Sequence, residues 1–288
     1  MSTIQSALIM AFGVVGMNYF FKLVHYLTTR KSSVFTKNNY KQDSYVFIVY
    51  FTGFYIFYSI LDTLESKQFD IELFTLLLIF ISQLLLVSIP YIILPLFYLI
   101  RSKRNNRNNE LETWVQSKFG KSYKVVILDI EVTNAYAAGI LPIVKVILLG
   151  KPLVEKLSKP ELEAIIAHEV GHLVENHLLR LYVNQIFLGC LVAFGWTKIS
   201  SNIHDSPYYV WILSAYFGIL LGGLSVLING FIQKKLEKAA DRYAAKMTSP
   251  QHIISALNKL NIDSEGAMEK WSFNYPTLNE RIKYVEAI

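Results

Sequence analysis

Long apolar runs alternate with short charged ones along the chain. The first apolar run covers residues 4–27, and no Lys, Arg, Asp or Glu occurs in residues 1–21. Its length suits a bilayer span. With no basic leader and no small-residue cleavage site, it reads as an uncleaved transmembrane helix rather than a signal peptide. A second run at 45–61 is aromatic and short for a span, and the longest, at 73–100, contains Pro90 and Pro95. Those prolines predict a kink or an exit from the membrane. Two further runs, at 178–196 and 208–232, bring the expectation to five spans. Residues 101–180 and 233–288 are polar, charged and of mixed period.

The polar parts predict smaller elements. Residues 123–130 and 142–149 are rich in Val, Ile and Leu and too short to span, so they read as strands. Ser158-Lys159-Pro160-Glu161 opens a helix: Ser158 as N-cap, Glu161 completing a capping box, Pro160 in the first turn. That helix runs through residue 168 and beyond. After residue 233 the pattern predicts short helices broken at Pro250 and Pro276. The expected fold is mainly α and integral to a membrane. Three helices in 1–100 precede an α+β domain, whose parts 101–180 and 233–288 are split by a two-helix insertion at 181–232.

Composition agrees with a membrane protein. Hydrophobic residues make up 53% and charged residues 17%, against about 25% charged in a typical soluble domain. The net charge of +6 does not point to nucleic acid, because the basic residues cluster beside apolar runs. Loop 28–44 and segment 101–107 are basic, whereas loop 62–72 is acidic. Positive residues favour the cytoplasmic side, so both polar parts of the α+β domain face the cytoplasm. The single cysteine, Cys190, lies in an apolar run, which excludes an internal disulfide and argues against a cysteine metal site.

The candidate chemistry lies at His168-Glu169-Val170-Gly171-His172. On a helix, positions i and i+4 share a face, so two imidazoles can grip one divalent ion, typically Zn²⁺. Glu169, beside the first His, is placed to take a proton from water. A catalytic zinc needs a third protein ligand. Glu237 and Asp241, again four apart and on the same membrane side, supply a candidate set. Glu237 is assigned as the third ligand, and Asp241 as an acceptor for the outer ring nitrogen of His168. His177 falls five residues past His172, off the ligand face.

These residues resemble the integral-membrane zinc peptidases that include HtpX and the CAAX prenyl proteases. The resemblance rests on the His-Glu-x-x-His motif, on Glu237-x-x-x-Asp241, on Asn134-Ala135-Tyr136-Ala137, and on Pro276 through Ile282, and covers roughly residues 120–288. It implies one Zn²⁺ per chain and an edge strand at Asn134 that pairs with a substrate backbone, with Asn134 holding a substrate carbonyl. For Arg281 two roles stay open: a buried pair locking the C-terminal segment over the site, or a substrate contact. Two departures matter. The family usually has His where this chain has Tyr275, whose phenol can still donate to an oxyanion. Residues 1–100 resemble neither branch closely, so substrate class does not carry over.

The expected function is a zinc-dependent, multi-pass membrane endopeptidase of a prokaryotic cell membrane, acting on membrane-associated or misfolded proteins. One alternative is a processing protease for prenylated proteins, and another a non-catalytic scaffold or signalling protein with a degenerate site. An intact Glu169 argues against the last, because a structural site needs no base.

Overall fold

The computed structural model describes residues 84, 85, 87–101, 107–203, 206, 208, 212, 215, 216, 218–272 and 274–288, with scattered helical positions between 4 and 81. Apart from those positions, the spans expected at 4–27 and 45–61, and the first part of that at 73–100, lie outside the described residues. The end of the third run is helical. A π turn, Ile89–Ile93, leads into α1 (Leu94–Arg101). Pro90 lies in that turn because it has no N–H to give and its ring displaces the preceding carbonyl, which a wider turn accommodates.

By contacts the chain divides into two compact units, Met1–Leu84 with Phe187–Ser225 and Leu85–Ile186 with Val226–Ile288. In the first, the Tyr216 hydroxyl donates to the Val192 carbonyl at 3.0 Å, and its ring lies against Trp196. Of two long helices, α5 (His177–Ile203) has residues in both sequence ranges, whereas α6 (Ser225–Met247), preceded by a π turn at Gly218–Leu224, belongs to the second but for its first residue. Among the described residues, one helix is long and apolar enough to cross a membrane, over His177–Ile199.

The second unit holds a three-stranded sheet of β1 (Lys124–Leu128), β2 (Ala135–Ala138) and β3 (Val146–Gly150), in the order β1-β3-β2. β1 and β3 are parallel, with Lys124 opposite Val146, while β2 and β3 are antiparallel, with Ala135 opposite Leu149. Central β3 is buried at every position, which is why it reads as an unbroken apolar run. That strand starts later than the expected 142–149, because Pro142–Val144 forms a 3-10 turn. Gly139 explains the delay. Its φ is +90°, and a Cβ there would lie 2.1 Å from the Val144 carbonyl oxygen, so the chain turns sharply before β3 can begin.

Helices cover the sheet: α2 (Asn109–Phe119), α3 (Lys151–Lys156), α4 (Lys159–Val174), α7 (Pro250–Asp263) and α8 (Leu278–Glu286). α4 packs on β2 and β3, α7 on α4, and α8 on α7. Ile147, Leu149, Ile166, Ile253 and Leu257 form the centre of one core, each stabilising the fold by about 1.5–3 kcal/mol of burial. α4 starts as the sequence predicts: Ser158 is the N-cap, and Ser158 and Glu161 close a reciprocal capping box. Pro250 starts α7, and α8 starts just after Pro276 with its own capping box, Thr277 and Glu280.

Candidate metal centre

α4 carries His168, Glu169 and His172 on its buried side. α6 lies close across it, since Gly171 has no side chain: a Cβ there would come within 3.1 Å of the Tyr243 side chain. The approach brings Glu237 to the His pair. His168 Nε2 stands 3.2 Å from His172 Nε2 and 3.4 Å from Glu237 Oε2, and His172 Nε2 stands 3.7 Å from Glu237 Oε1. Among the described residues this is the group of three side chains whose ligand atoms converge closely enough to hold a metal ion.

The group fits zinc in both geometry and charge. Tetrahedral bonds of 2.0–2.2 Å place neighbouring ligand atoms roughly 3.3–3.5 Å apart, and the three observed separations bracket that range. Three acids (Glu169, Glu237, Asp241) and one cation (Arg281) are buried together, so the pocket has room for further positive charge. The same acids favour positive charge on His168. Burial disfavours it, but Asp241 and Glu237 outweigh burial and raise the pKa to about 10. Burial and the neighbouring charge of His168 push His172 down to about 3. Burial also works against ionised Glu237, yet the hydrogen bond and charge of His168 hold it at about 2.

The atoms behind the ligands are equally ordered. Asp241 is fully buried, and its Oδ1 lies 2.9 Å from His168 Nδ1, near but not aligned as a good hydrogen bond. Arg281, on α8, donates to both Asp241 oxygens at 2.8 and 2.5 Å. This buried pair is one of its two expected roles. His172 Nδ1 lies 3.0 Å from His177 Nδ1, and His177 Nε2 lies 3.0 Å from Glu175 Oε2. His177 is therefore not off the site, as a continuous helix would have it. The helix breaks at Asn176, whose φ is +55°, and the break turns His177 back. Lys145 secures it, donating to the Leu173 carbonyl and to Asn176 Oδ1.

Glu169 faces the edge of the sheet. Its Oε2 accepts the Ala137 N–H at 2.5 Å, and burial raises its pKa to about 7, against the charge of His168. Ala135 N–H is likewise bonded, to Asn134 Oδ1 at 2.9 Å, while the Asn134 carbonyl accepts from Gly150 N–H. The segment after Asn134 thus forms the edge strand β2, and the N–H groups of Ala135 and Ala137 are held by the chain's own side chains. Gly150 allows this: a Cβ there would lie 1.9 Å from the Val132 carbonyl oxygen. Tyr275 is 48% exposed. Burial and the charge of Glu237 raise its pKa, while a hydrogen bond with Gln233 opposes them. Sequence reasoning set His177 aside and missed Glu175, Lys145 and Gln233. Only for Lys145, a lone base within the apolar run 142–149, was there a faint local signal.

The sequence profile of peptidase family M48 matches residues 101–288, well over half of the chain. A protease HtpX homolog of Bacteroides fragilis is 31% identical over 180 residues, covering 58% of this chain and 56% of the relative. Another, of Dictyoglomus turgidum, is 26% identical over 274 residues, covering 83% and 88%. The chain thus spans a little over half of the Bacteroides relative and most of the Dictyoglomus one. The fold is similar to that in the crystal structure of S. mikatae Ste24p, with a TM-score of 0.64 and 24% identity over 86% of this chain and 65% of that one. The matched residues contain both His ligand candidates, Glu169, Glu237, Asp241 and Arg281, and the chain belongs to peptidase family M48.

Proposed function

We propose that the chain is a zinc-dependent membrane endopeptidase in which His168, His172 and Glu237 hold one Zn²⁺ and Glu169 is the general base. The observation that carries this is the convergence of three ligand atoms beside a buried glutamate that contacts an edge strand. The family match and the protease names of the relatives support peptide-bond hydrolysis. The apolar runs, the candidate span over His177–Ile199 and the basic segments at 28–44 and 101–107 support a multi-pass membrane protein with a cytoplasmic site. The bacterial relatives support a prokaryotic cell membrane.

A zinc ion bound there would acidify water and polarise the scissile carbonyl. The chain's own groups do the rest. An extended peptide adds to the free edge of β2 by main-chain hydrogen bonds. In doing so it takes over the Ala137 N–H and releases Oε2 of Glu169. Burial has made that carboxylate a stronger base than usual, so it accepts a proton from water and returns it to the leaving amine. Asn134, at the start of the same strand, holds a substrate carbonyl. The hydroxyl of Tyr275 donates to the oxyanion.

The test uses the purified full chain with casein and a prenylated reporter peptide in parallel, with and without chelator. Chelator-sensitive cleavage is expected, lost in Glu169→Gln although zinc is retained. Bound zinc with no cleavage of either substrate would leave a scaffold as the better reading. Cleavage of the prenylated peptide alone would move the substrate class to prenylated proteins.

A further inference from the structure

The two imidazoles at the candidate centre are backed by different partners. His168 has a carboxylate, Asp241, with Arg281 beyond it. His172 has a second histidine. His177 is 1% exposed, and its ring stands edge-on to that of His172, centroids 5.0 Å apart. The order of atoms is Glu175 Oε2, His177 Nε2, His177 Nδ1, His172 Nδ1, with 3.0 Å at both contacts between residues.

We infer that His177 is a positioning residue for the metal: it accepts the Nδ1–H of His172, donates its own Nε2–H to Glu175, and so holds His172 with Nε2 free to bind. The inference rests on the reading that His168, His172 and Glu237 bind zinc. The tautomers follow by elimination. A metal-binding Nε2 must offer a lone pair, so the proton of neutral His172 sits on Nδ1. His177 Nδ1 then faces an N–H and must accept. Its own proton is left on Nε2, where Glu175 receives it. A carboxylate thus reaches the metal ligand through an intervening imidazole, whereas in the common arrangement it touches the ligand directly.

The backbone is shaped for this contact. On an unbroken helix His177 would lie roughly 140° around from His172. Asn176 adopts the left-handed conformation, which Asn tolerates better than most side chains. Lys145 ties the preceding carbonyl of Leu173 and the Asn176 side chain together. α5 therefore starts at His177 as a separate helix.

The experiment measures zinc affinity of the full chain in detergent by competition with a chromogenic chelator, for wild type, His177→Ala and His177→Asn. It also records the thermal midpoint of each metal-free protein. Asn places its Oδ1 near the position of the imidazole Nδ1 and can still accept from His172. We expect His177→Ala to weaken zinc binding by about 10–100-fold, the usual effect of removing such a partner, and His177→Asn to recover most of it. Metal-free thermal midpoints that fall in both variants while only His177→Ala loses affinity would separate positioning from packing. Affinity within about twofold of wild type in His177→Ala, or equal losses in both variants, overturns the inference. If wild type itself binds no zinc, the metal reading fails first, and the role of His177 with it.

Discussion

Arg281 grips both carboxylate oxygens of Asp241, through Nε at 2.8 Å and Nη2 at 2.5 Å, in a site where Asp241 is fully buried. The same Nη2 stands 3.9 Å from Glu237 Oε2. One guanidinium from the C-terminal helix therefore offsets two acids of α6, one of which backs His168. Removing one partner of such a pair leaves a buried charge uncompensated, at a cost of about 3–5 kcal/mol. Arg281→Met is expected to lower stability by that order and to weaken zinc binding. Arg281→Lys should rescue little, because an ammonium cannot form the two-pronged contact. Denaturant unfolding and metal titration of the two variants check this. A Lys variant as stable as wild type would show that charge alone suffices.

Glu161 gives a pH signature of folding. It accepts from Ser158 N–H and Oγ, from Ser255 Oγ and from Lys259 Nζ, all at 2.7–2.8 Å, and so joins the start of α4 to α7. Burial pushes its pKa up, but Lys259 and the serines pull it from an ordinary 4.5 to about 2. A carboxyl group whose folded pKa is depressed stabilises the fold above its unfolded value and loses that contribution as pH falls through the folded one. Glu161→Gln is therefore expected to be less stable than wild type by about 1.5–3 kcal/mol near neutral pH. The gap should shrink below pH 4.5 and close near pH 2. Unfolding midpoints of both proteins over this range are the measurement, and a constant gap would refute the assignment.

Gly139 is expected to tolerate no side chain. Its φ of +90° and the 2.1 Å approach of an added Cβ to the Val144 carbonyl oxygen act together. The left-handed backbone costs about 1–2 kcal/mol and overpacking about 1–3 more. Gly139→Ala should lower the thermal midpoint and displace the end of β2. Gly223, with nothing within 4 Å of an added Cβ, is the control. Equal midpoints for the two alanine variants would remove the argument.

Tyr275 stands where the resembled family usually has His. If its hydroxyl donates to the oxyanion, Tyr275→Phe should reduce kcat by about 10²–10³ with zinc content and KM little changed. Tyr275→His should keep much of the activity. Steady-state kinetics on one peptide substrate, with zinc measured in each preparation, decide between this and a packing role, for which Phe would be nearly neutral.

Local features of the sequence carried much of the candidate site. The His168–His172 spacing, the capping box at Ser158 and Glu161, and the helix starts at Pro250 and after Pro276 depend on interactions within a few residues, so each could be read from the chain. Pairing Glu237 with the His motif needed an argument about membrane sides, and its contact with the two histidines came only from the packing of α6 on Gly171. The choice of partner for Arg281 was open in the sequence, because a buried pair and a substrate contact call for the same residue type. Tertiary structure alone decided where His177 points. A helical count carries it away from His172, and it returns because the left-handed Asn176 breaks the helix and Lys145, 31 residues earlier in the chain, holds the break. The sequence by itself determined which groups can bind a metal and move a proton, since that is a property of residue type and short spacing. Only the tertiary structure decided which nitrogen faces the metal and what stands behind it, since that depends on contacts between distant parts of the chain.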